Sequence, residues 1–255
     1  MAMSMRFRKG IPGWLWAVLG ASLLLPIFVF ARPALAIGTA DTWVELGSIQ
    51  AGRATAAEAS PLFSFDSNVF FVTDSAGVFR SIDGGSTFTE VNNGLTDHRV
   101  THLAISPRFN VDSVLFASTP SGLFKSTDAS GSWTKLSGGL PAVETRAVAY
   151  SPNFATDNTL YAAVLGFGLY ASANGGTTWT LLSTSGMTDL SLTGVQLVEG
   201  EFGSLIIIVR TATKVFRSED SGATWAERTT GLPSSVQIVT LELSPDFRTS
   251  GLALA

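Results

Sequence analysis

The chain contains no cysteine. That removes disulfides, thiolate metal sites, a cysteine nucleophile and a lipid-bearing cysteine. Histidine is almost as scarce, with only His98 and His102. No second cluster of carboxylates stands at ligand spacing beside them, so no metal site and no cofactor are expected. Charge is sparse too: 14% of residues are charged, and the net charge is −4. A nucleic-acid surface needs a basic patch, so nucleic acid is excluded as a partner. The phosphate loop, the dinucleotide fingerprint and any Ser-His-Asp arrangement are missing. So is the 3.6-residue periodicity of helical repeats.

What is present is apolar and rich in turns. Hydrophobic residues make up 45% of the chain, and its 25 glycines help to divide short apolar runs from one another. That pattern favours an all-β fold. The N-terminus is different. Arg6, Arg8 and Lys9 precede an apolar run, Gly13 to Ala31, and Pro33-Ala34-Leu35-Ala36 follows it. Residues 1–36 read as a signal peptide cleaved after Ala36, or as an uncleaved membrane anchor. Either way residues 37–255 are exported, and a membrane enters only through that segment if it stays. An exported domain without disulfides must draw its stability from its core.

One eight-residue pattern recurs four times. It reads Ser81-Ile-Asp83-Gly-Gly85-Ser-Thr87-Phe88, Ser126-Thr-Asp128-Ala-Ser130-Gly-Ser132-Trp133, Ser172-Ala-Asn174-Gly-Gly176-Thr-Thr178-Trp179 and Ser218-Glu-Asp220-Ser-Gly222-Ala-Thr224-Trp225. The closing aromatics are spaced by 45, 46 and 46 residues, and a partial copy, Thr42-Trp43, precedes them. A second motif, Ser-Pro-x-Phe-x-x-Asp, starts at Ser60, Ser106 and Ser151, with Ser244-Pro245-Asp246-Phe247 at the end. One unit resolves into four strands, about Arg146 to Tyr150, Thr159 to Val164, Gly168 to Ser172 and Trp179 to Leu182. Four short antiparallel strands per 45-residue period predict a β-propeller blade. About four complete blades are expected, with partial blades at the ends, in a propeller that stops short at its C-terminus. The unit before the last box is irregular: Glu199-Gly-Glu201-Phe202 replaces Ser-Pro-x-Phe, and the apolar strand Leu205 to Val209 follows.

These boxes resemble the Asp-box of the BNR-repeat families, and residues 37–255 all fit repeats of that kind. Those families include sialidases, two-propeller xyloglucan hydrolases, sortilin-type receptors and photosystem II assembly factors. The resemblance implies that each box forms the hairpin between third and fourth strands. The residue types suit that work. Asp83, Asp128, Asn174 and Asp220 can accept backbone hydrogen bonds two or three residues ahead. Gly85, Gly176 and Gly222 can take positive φ, with Gly131 serving where Ser130 breaks the pattern. Phe88, Trp133, Trp179 and Trp225 can pack beneath the hairpins. Asn174 keeps the acceptor and loses the charge, which marks the box as structural rather than catalytic or metal-binding.

Chemistry is harder to find. The sialidase family's arginine triad and Phe/Tyr-Arg-Ile-Pro segment have no match. Tyr161 and Tyr170 stand where other units carry Phe, and Tyr150 ends a first strand. Arg53, Arg99 and Gln237 each lie seven residues before a Ser-Pro serine, and Arg146 five before. Equal parity would point all four to one face of their strands. They form either a partial ring for an anionic ligand or ordinary solvated side chains. Glu199 and Glu201 are either a loop insertion or a graft of function onto the irregular unit. The reading is an exported propeller that binds or scaffolds an unknown protein or glycan. Two alternatives stand beside it: a fragment of a sialidase- or xyloglucanase-like glycoside hydrolase, and a protein like the photosystem II assembly factors.

Overall fold

The computed structural model describes residues 52–200, 204–230, 237–243 and 253–254. The N-terminal segment 1–36, Thr42-Trp43, Glu201 and the Ser244-Pro245-Asp246-Phe247 motif lie outside the described residues.

Four antiparallel sheets of four strands follow one another along the chain. The first holds β1 (Ala54–Ala59), β2 (Val69–Thr73), β3 (Gly77–Ser81) and β4 (Thr89–Glu90). The second holds β5 (His102–Ile105), β6 (Leu115–Thr119), β7 (Gly122–Ser126) and β8 (Thr134–Lys135). The third holds β9 (Thr145–Tyr150), β10 (Leu160–Val164), β11 (Gly168–Ser172) and β12 (Thr180–Leu181). The fourth holds β13 (Gly194–Glu199), β14 (Leu205–Arg210), β15 (Val215–Ser218) and β16 (Ala226–Glu227), and a two-stranded piece follows, β17 (Glu242–Leu243) with β18 (Ala253–Leu254). Each four-stranded sheet is a meander in chain order. This is the all-β, blade-by-blade architecture that the period implied.

The second strands explain why the blades stack. VFFVT, LFAST and LYAAV are buried along their whole length. A strand covered on both faces reads as a continuous apolar run, because each face meets a neighbouring sheet. The core accordingly divides into clusters at the seams. One joins Phe70 and Val72 to Leu103, Phe109 and Trp133; the next joins Phe116 to Val148, Phe154 and Trp179. First strands touch first strands from blade to blade, β1 to β5 to β9 to β13, so they form the inner edge.

The Ser-Pro motif makes a turn that sequence alone did not reveal. It closes as a four-residue helix: α1 (Phe63–Asp66), α2 (Phe109–Asp112) and α3 (Phe154–Asp157). Its serine donates to its aspartate at 2.6, 2.7 and 2.6 Å, and that aspartate accepts the backbone N–H two residues on. The fourth blade lacks the motif in sequence, and no such helix occurs among its described residues. There β13 and β14 simply extend their pairing to Glu199 and Leu205.

Candidate functional site

The boxes are closed circuits. In the first, the Ser81 hydroxyl donates to Asp83 at 2.7 Å and accepts the Gly85 N–H at 2.8 Å. Asp83 then accepts the Thr87 N–H and the Thr87 hydroxyl at 2.9 and 2.6 Å. Asp128 and Asp220 repeat this with Ser132 and Thr224. The bonds favour the ionised carboxylate. Thr87, Ser81 and the Thr87 backbone hold Asp83 down at about 2, and Thr224 and Ser218 do the same for Asp220. Asn174 keeps the circuit by reversing one donor: its Nδ2 donates to the Thr178 hydroxyl at 2.8 Å while its Oδ1 still accepts the Thr178 N–H. The turn needs the acceptor and not the charge. The left-handed residues of the second box are Ala129 and Ser130, with φ 56° and 74°, and not the neighbouring Gly131.

The box aromatics stitch blades together rather than only sitting beneath their own hairpins. Trp133 donates through Nε1 to Val91 O at 2.8 Å and through its backbone to Asn93 O at 2.8 Å, both in the preceding blade's exit loop. Trp225 repeats this with Ser183 and Ser185. Trp179 reaches back through its backbone to Gly138 and keeps its Nε1 on Gly176 of its own box. Phe88, half-buried, packs edge-on against Phe71 at 4.8 Å. The approach is so close that a Cβ on Gly94, at φ +81°, would stand 2.3 Å from Trp133 O.

The arginines gather at the starts of the first strands, but each brings its own carboxylate. Arg53 pairs with Asp74 at 3.3 Å, Arg99 with Asp97 at 3.1 Å and Arg146 with Glu144 at 3.0 Å. A register shift places Arg146 on a bulge between Thr145 and Ala147, so the simple alternation that would align it with Arg53 and Arg99 is interrupted. Gln237 is exposed ahead of β17. Tyr150 packs edge-on against Phe154, and Tyr161 and Tyr170 are buried in the seams. Glu199 ends β13, exposed. Among the described residues, no group of three or more His, Asp or Glu side chains is placed to hold a metal ion.

The repeat breaks at one matched pair on the inner edge. Counted by register, the first-to-second strand pairs are Ala56↔Val72, His102↔Ser118, Ala147↔Ala163 and Gly194↔Arg210. The fourth blade thus sets a cation where the others carry Val, Ser or Ala. Gly194 opposite gives the side chain room: a Cβ there would lie 2.8 Å from Arg210 Nε, so the guanidinium would have to move aside. Arg210 donates through Nη1 to the Thr193 hydroxyl at 2.8 Å and to Ile238 O at 3.1 Å, which fixes the guanidinium. Beside it opens a cavity of about 150 Å³ lined by His102, Ala147, Thr193, Gly194, Gln196 and Arg210, among others. Gln196 is anchored across the seam by its Nε2 bond to Leu241 O at 2.8 Å.

His102 is half-buried as a residue, yet its ring Nδ1 is shut away from solvent and meets no hydrogen-bond partner among the described residues. Burial, and then the Arg210 charge, push its pKa down to about 4, so at neutral pH the imidazole is uncharged. Sequence reasoning weighed His102 only as a metal ligand. It missed Arg210 by a single residue, because the apolar run was read as ending at Val209. It lies eight residues before its box serine where Val72 and Ala163 lie nine before theirs, so only the strand register sets it beside Val72, Ser118 and Ala163. A wider hollow of about 440 Å³ is lined by His102, Leu103, Ala104 and Ile105 of β5 together with Glu58 of β1 and Val148 of β9, among others.

A family model described as the DUF6242 beta propeller domain matches residues 109–242, just over half of the chain. No curated protein sequence matches it. Among solved structures, the chain is similar to an ancestral GH74 enzyme, at 22% identity and a TM-score of 0.61, over 82% of this chain and 28% of that one. It is similar to the GH74 xyloglucanase from Xanthomonas campestris, at 17% identity and a TM-score of 0.57, over 77% of this chain and 33% of that one. It is also similar to YCF48 bound to D1 peptide, at 16% identity and a TM-score of 0.50, over 71% of this chain and 55% of that one. The chain therefore spans a third or less of the two GH74 proteins. These likenesses establish the propeller fold.

Proposed function

The chain belongs to the DUF6242 beta propeller domain family, and from that premise we propose that it is an exported propeller of the Asp-box type that binds a protein or glycan ligand and does not hydrolyse it. One observation carries the reading: the box carboxylates are consumed by their own turns. Asp83, Asp128 and Asp220 each spend both carboxylate oxygens on the hydroxyl and N–H groups of their box. The rim carboxylates Asp74, Asp97 and Glu144 each face an arginine. Glycoside hydrolysis needs two carboxyl groups converging across a scissile bond. What faces the inner edge instead is a fixed guanidinium, a neutral imidazole and amide and hydroxyl groups, which bind rather than turn over. A rigid disc of blades carrying a polar pocket is a frame for recognition.

The segment 1–36 supports export in this reading, with residues 37–255 as the working domain. A second reading keeps the chain as part of a glycoside hydrolase, and the likeness to the two GH74 structures favours it. The likeness to YCF48 bound to D1 peptide adds a peptide to the candidate ligands. Incubating the purified chain with xyloglucan and fluorogenic sialosides separates these readings. We expect no product from either, alongside measurable binding to one member of a glycan and peptide panel. Product release that scales with the chain's concentration would overturn the proposal and favour the hydrolase.

A further inference from the structure

We propose that the tip of the first blade, where α1 meets the first box, rests on a lipid bilayer. This goes beyond the binding-module reading and does not depend on it. The tip holds large apolar side chains in the open. Phe65 is 82% exposed and Ile82 71%, and Leu62 and Phe63 are exposed beside them. The helix and the box form one surface: the Gly84 N–H donates to Ser67 O at 3.0 Å, and a Cβ on Gly84 would lie 3.8 Å from the Phe63 ring. Single exposed apolar residues are ordinary, but four on adjoining turns mark an interaction surface.

The repeat shows that the patch belongs to one blade and narrows what covers it. Leu62 is replaced by Arg108 and Asn153 in the next two Ser-Pro motifs, and Phe65 by Val111 and Thr156. Ile82 is replaced by Thr127, Ala173 and Glu219 in the other boxes. Phe109 and Phe154, the counterparts of Phe63, are buried, and Phe109 meets Phe70 of the preceding blade edge-on at 5.6 Å. A blade stacked ahead of the first would therefore cover Phe63. It would leave Phe65 and Ile82 bare, because Val111, Thr156, Thr127, Ala173 and Glu219 stay exposed although each of their blades has a neighbour ahead.

The chain's own chemistry selects lipid. Gly13 to Ala31 is an apolar run of 19 residues, long enough as a helix to cross a bilayer core, so a chain that keeps it is held at a membrane. The sequence admits a membrane only through that segment; the exposed tip adds a second contact. The chain enters the first blade at Gly52, beside Ser75 in the turn between β2 and β3, at the end away from α1. Ala31 and Gly52 are 21 residues apart, which permits any separation up to about 70 Å. The six residues of β1 cover about 20 Å between that entry and the tip, well within this reach. Residues 60–67 and 81–88 contain no Lys or Arg, the side chains that draw a surface to anionic lipid. Their acids, Asp66 and Asp83, are bound within their own turns. An apolar tip without cations fits a zwitterionic lipid such as phosphatidylcholine, entered by side chains rather than held by charge.

Because the chain has no cysteine, one introduced cysteine takes one label. The full chain, residues 1–255, is reconstituted in phosphatidylcholine vesicles, part of the lipid carrying a doxyl quencher on its acyl chain. A nitrobenzoxadiazole label is placed at Ser64→Cys in α1, at Ala155→Cys at the same position of α3, or at Ser75→Cys beside the chain's entry. Emission from residue 64 should fall by about half or more, and emission from 155 and 75 should hold. Adding Phe65→Ser and Ile82→Ser should restore emission at 64 with an unchanged urea midpoint, since both side chains lie mostly in solvent. Replacing part of the lipid by phosphatidylglycerol should not deepen the quenching. Unchanged emission at 64, equal loss at 64 and 155, loss at 75 in place of 64, quenching that survives the double substitution, or deeper quenching with phosphatidylglycerol would each overturn the assignment. Turnover of xyloglucan or a sialoside would remove the binding-module reading and leave the quenching pattern as it is, so the two failures are distinct.

Discussion

The third and fourth blades share a box, a seam tryptophan and a strand order, yet differ at their inner edges. In the third blade the inner pair is Ala147↔Ala163, and a four-residue helix, α3, closes the first hairpin. In the fourth the pair is Gly194↔Arg210, and the pairing of β13 with β14 runs on to Glu199↔Leu205. The small residue and the large one stand opposite each other. Packing alone gives no reason to trade two alanines for a half-buried guanidinium, since desolvating a cation is costly unless something accepts its hydrogen bonds. The difference separates what recurs to hold the blades together from what departs from the repeat. The recurring elements close their own turns and seams, and the pair that occurs once lines a cavity.

The recurrent half of that contrast breaks most visibly at a seam. Trp133→Ala removes a buried indole and its bond to Val91 O, and should cost about 3–5 kcal/mol in urea denaturation. A loss under ~1 kcal/mol would mean that the seams are not what holds the blades together.

The singular half is probed by acid. The folded-state pKa of His102, about 4, lies below its ordinary value of 6.5. The unfolded chain therefore binds the extra proton first. Stability should be intact above pH 6.5 and fall as the pH drops from there towards 4, by up to roughly 3 kcal/mol. His102→Gln should flatten this part of the profile. Arg210→Gln should shrink it by raising the histidine pKa, and an unchanged slope in both variants would detach the two residues. Asp83 and Asp220, held near 2, act only in stronger acid, below about pH 4.

Smaller effects sharpen the structural reading of the box. Ser126→Ala strips a buried hydroxyl that accepts the Ser130 N–H and donates to Asp128, and should cost about 1–3 kcal/mol. Asp128→Asn copies the third blade and should cost less than ~1 kcal/mol, because Asn174 shows how the circuit survives. The smallest changes belong to the rim. Arg53 and Arg99 keep 75% and 63% of their side chains exposed, and replacing either by Ala should shift stability by no more than ~0.5 kcal/mol. A drop of several kcal/mol at the rim would erase the distinction between rim and seam.

Much of the fold was legible because the repeat states it. The box spacing set the blade period, and apolar runs located the second strands of the third and fourth blades. Strand boundaries read for the third blade, such as Gly168 to Ser172, coincide with β11. The all-β blade architecture followed from period and strand number alone. The site was less legible for a physical reason. Parity arguments assume an unbroken strand, and the bulge at Arg146 breaks it. Each rim arginine also looks free in sequence, because its carboxylate partner is two or more residues away. Arg210 was hidden in the opposite way. It sits at the end of an apolar run and becomes unusual only when set beside Val72, Ser118 and Ala163, a comparison that needs the strand register. Asn174 was the exception: one amide among three carboxylates marked the box as a turn, and its reversed hydrogen bond gives the mechanism.

The most direct test compares a box with a seam inside one blade by urea unfolding at pH 7. One variant carries Asp128→Asn, so that the second box matches the third; the other carries Trp133→Ala. Asp128→Asn should cost less than ~1 kcal/mol and Trp133→Ala about 3–5 kcal/mol. If Asp128→Asn unfolds the chain while Trp133→Ala is neutral, the box needs its charge, the seam does not hold the blades, and the account is wrong.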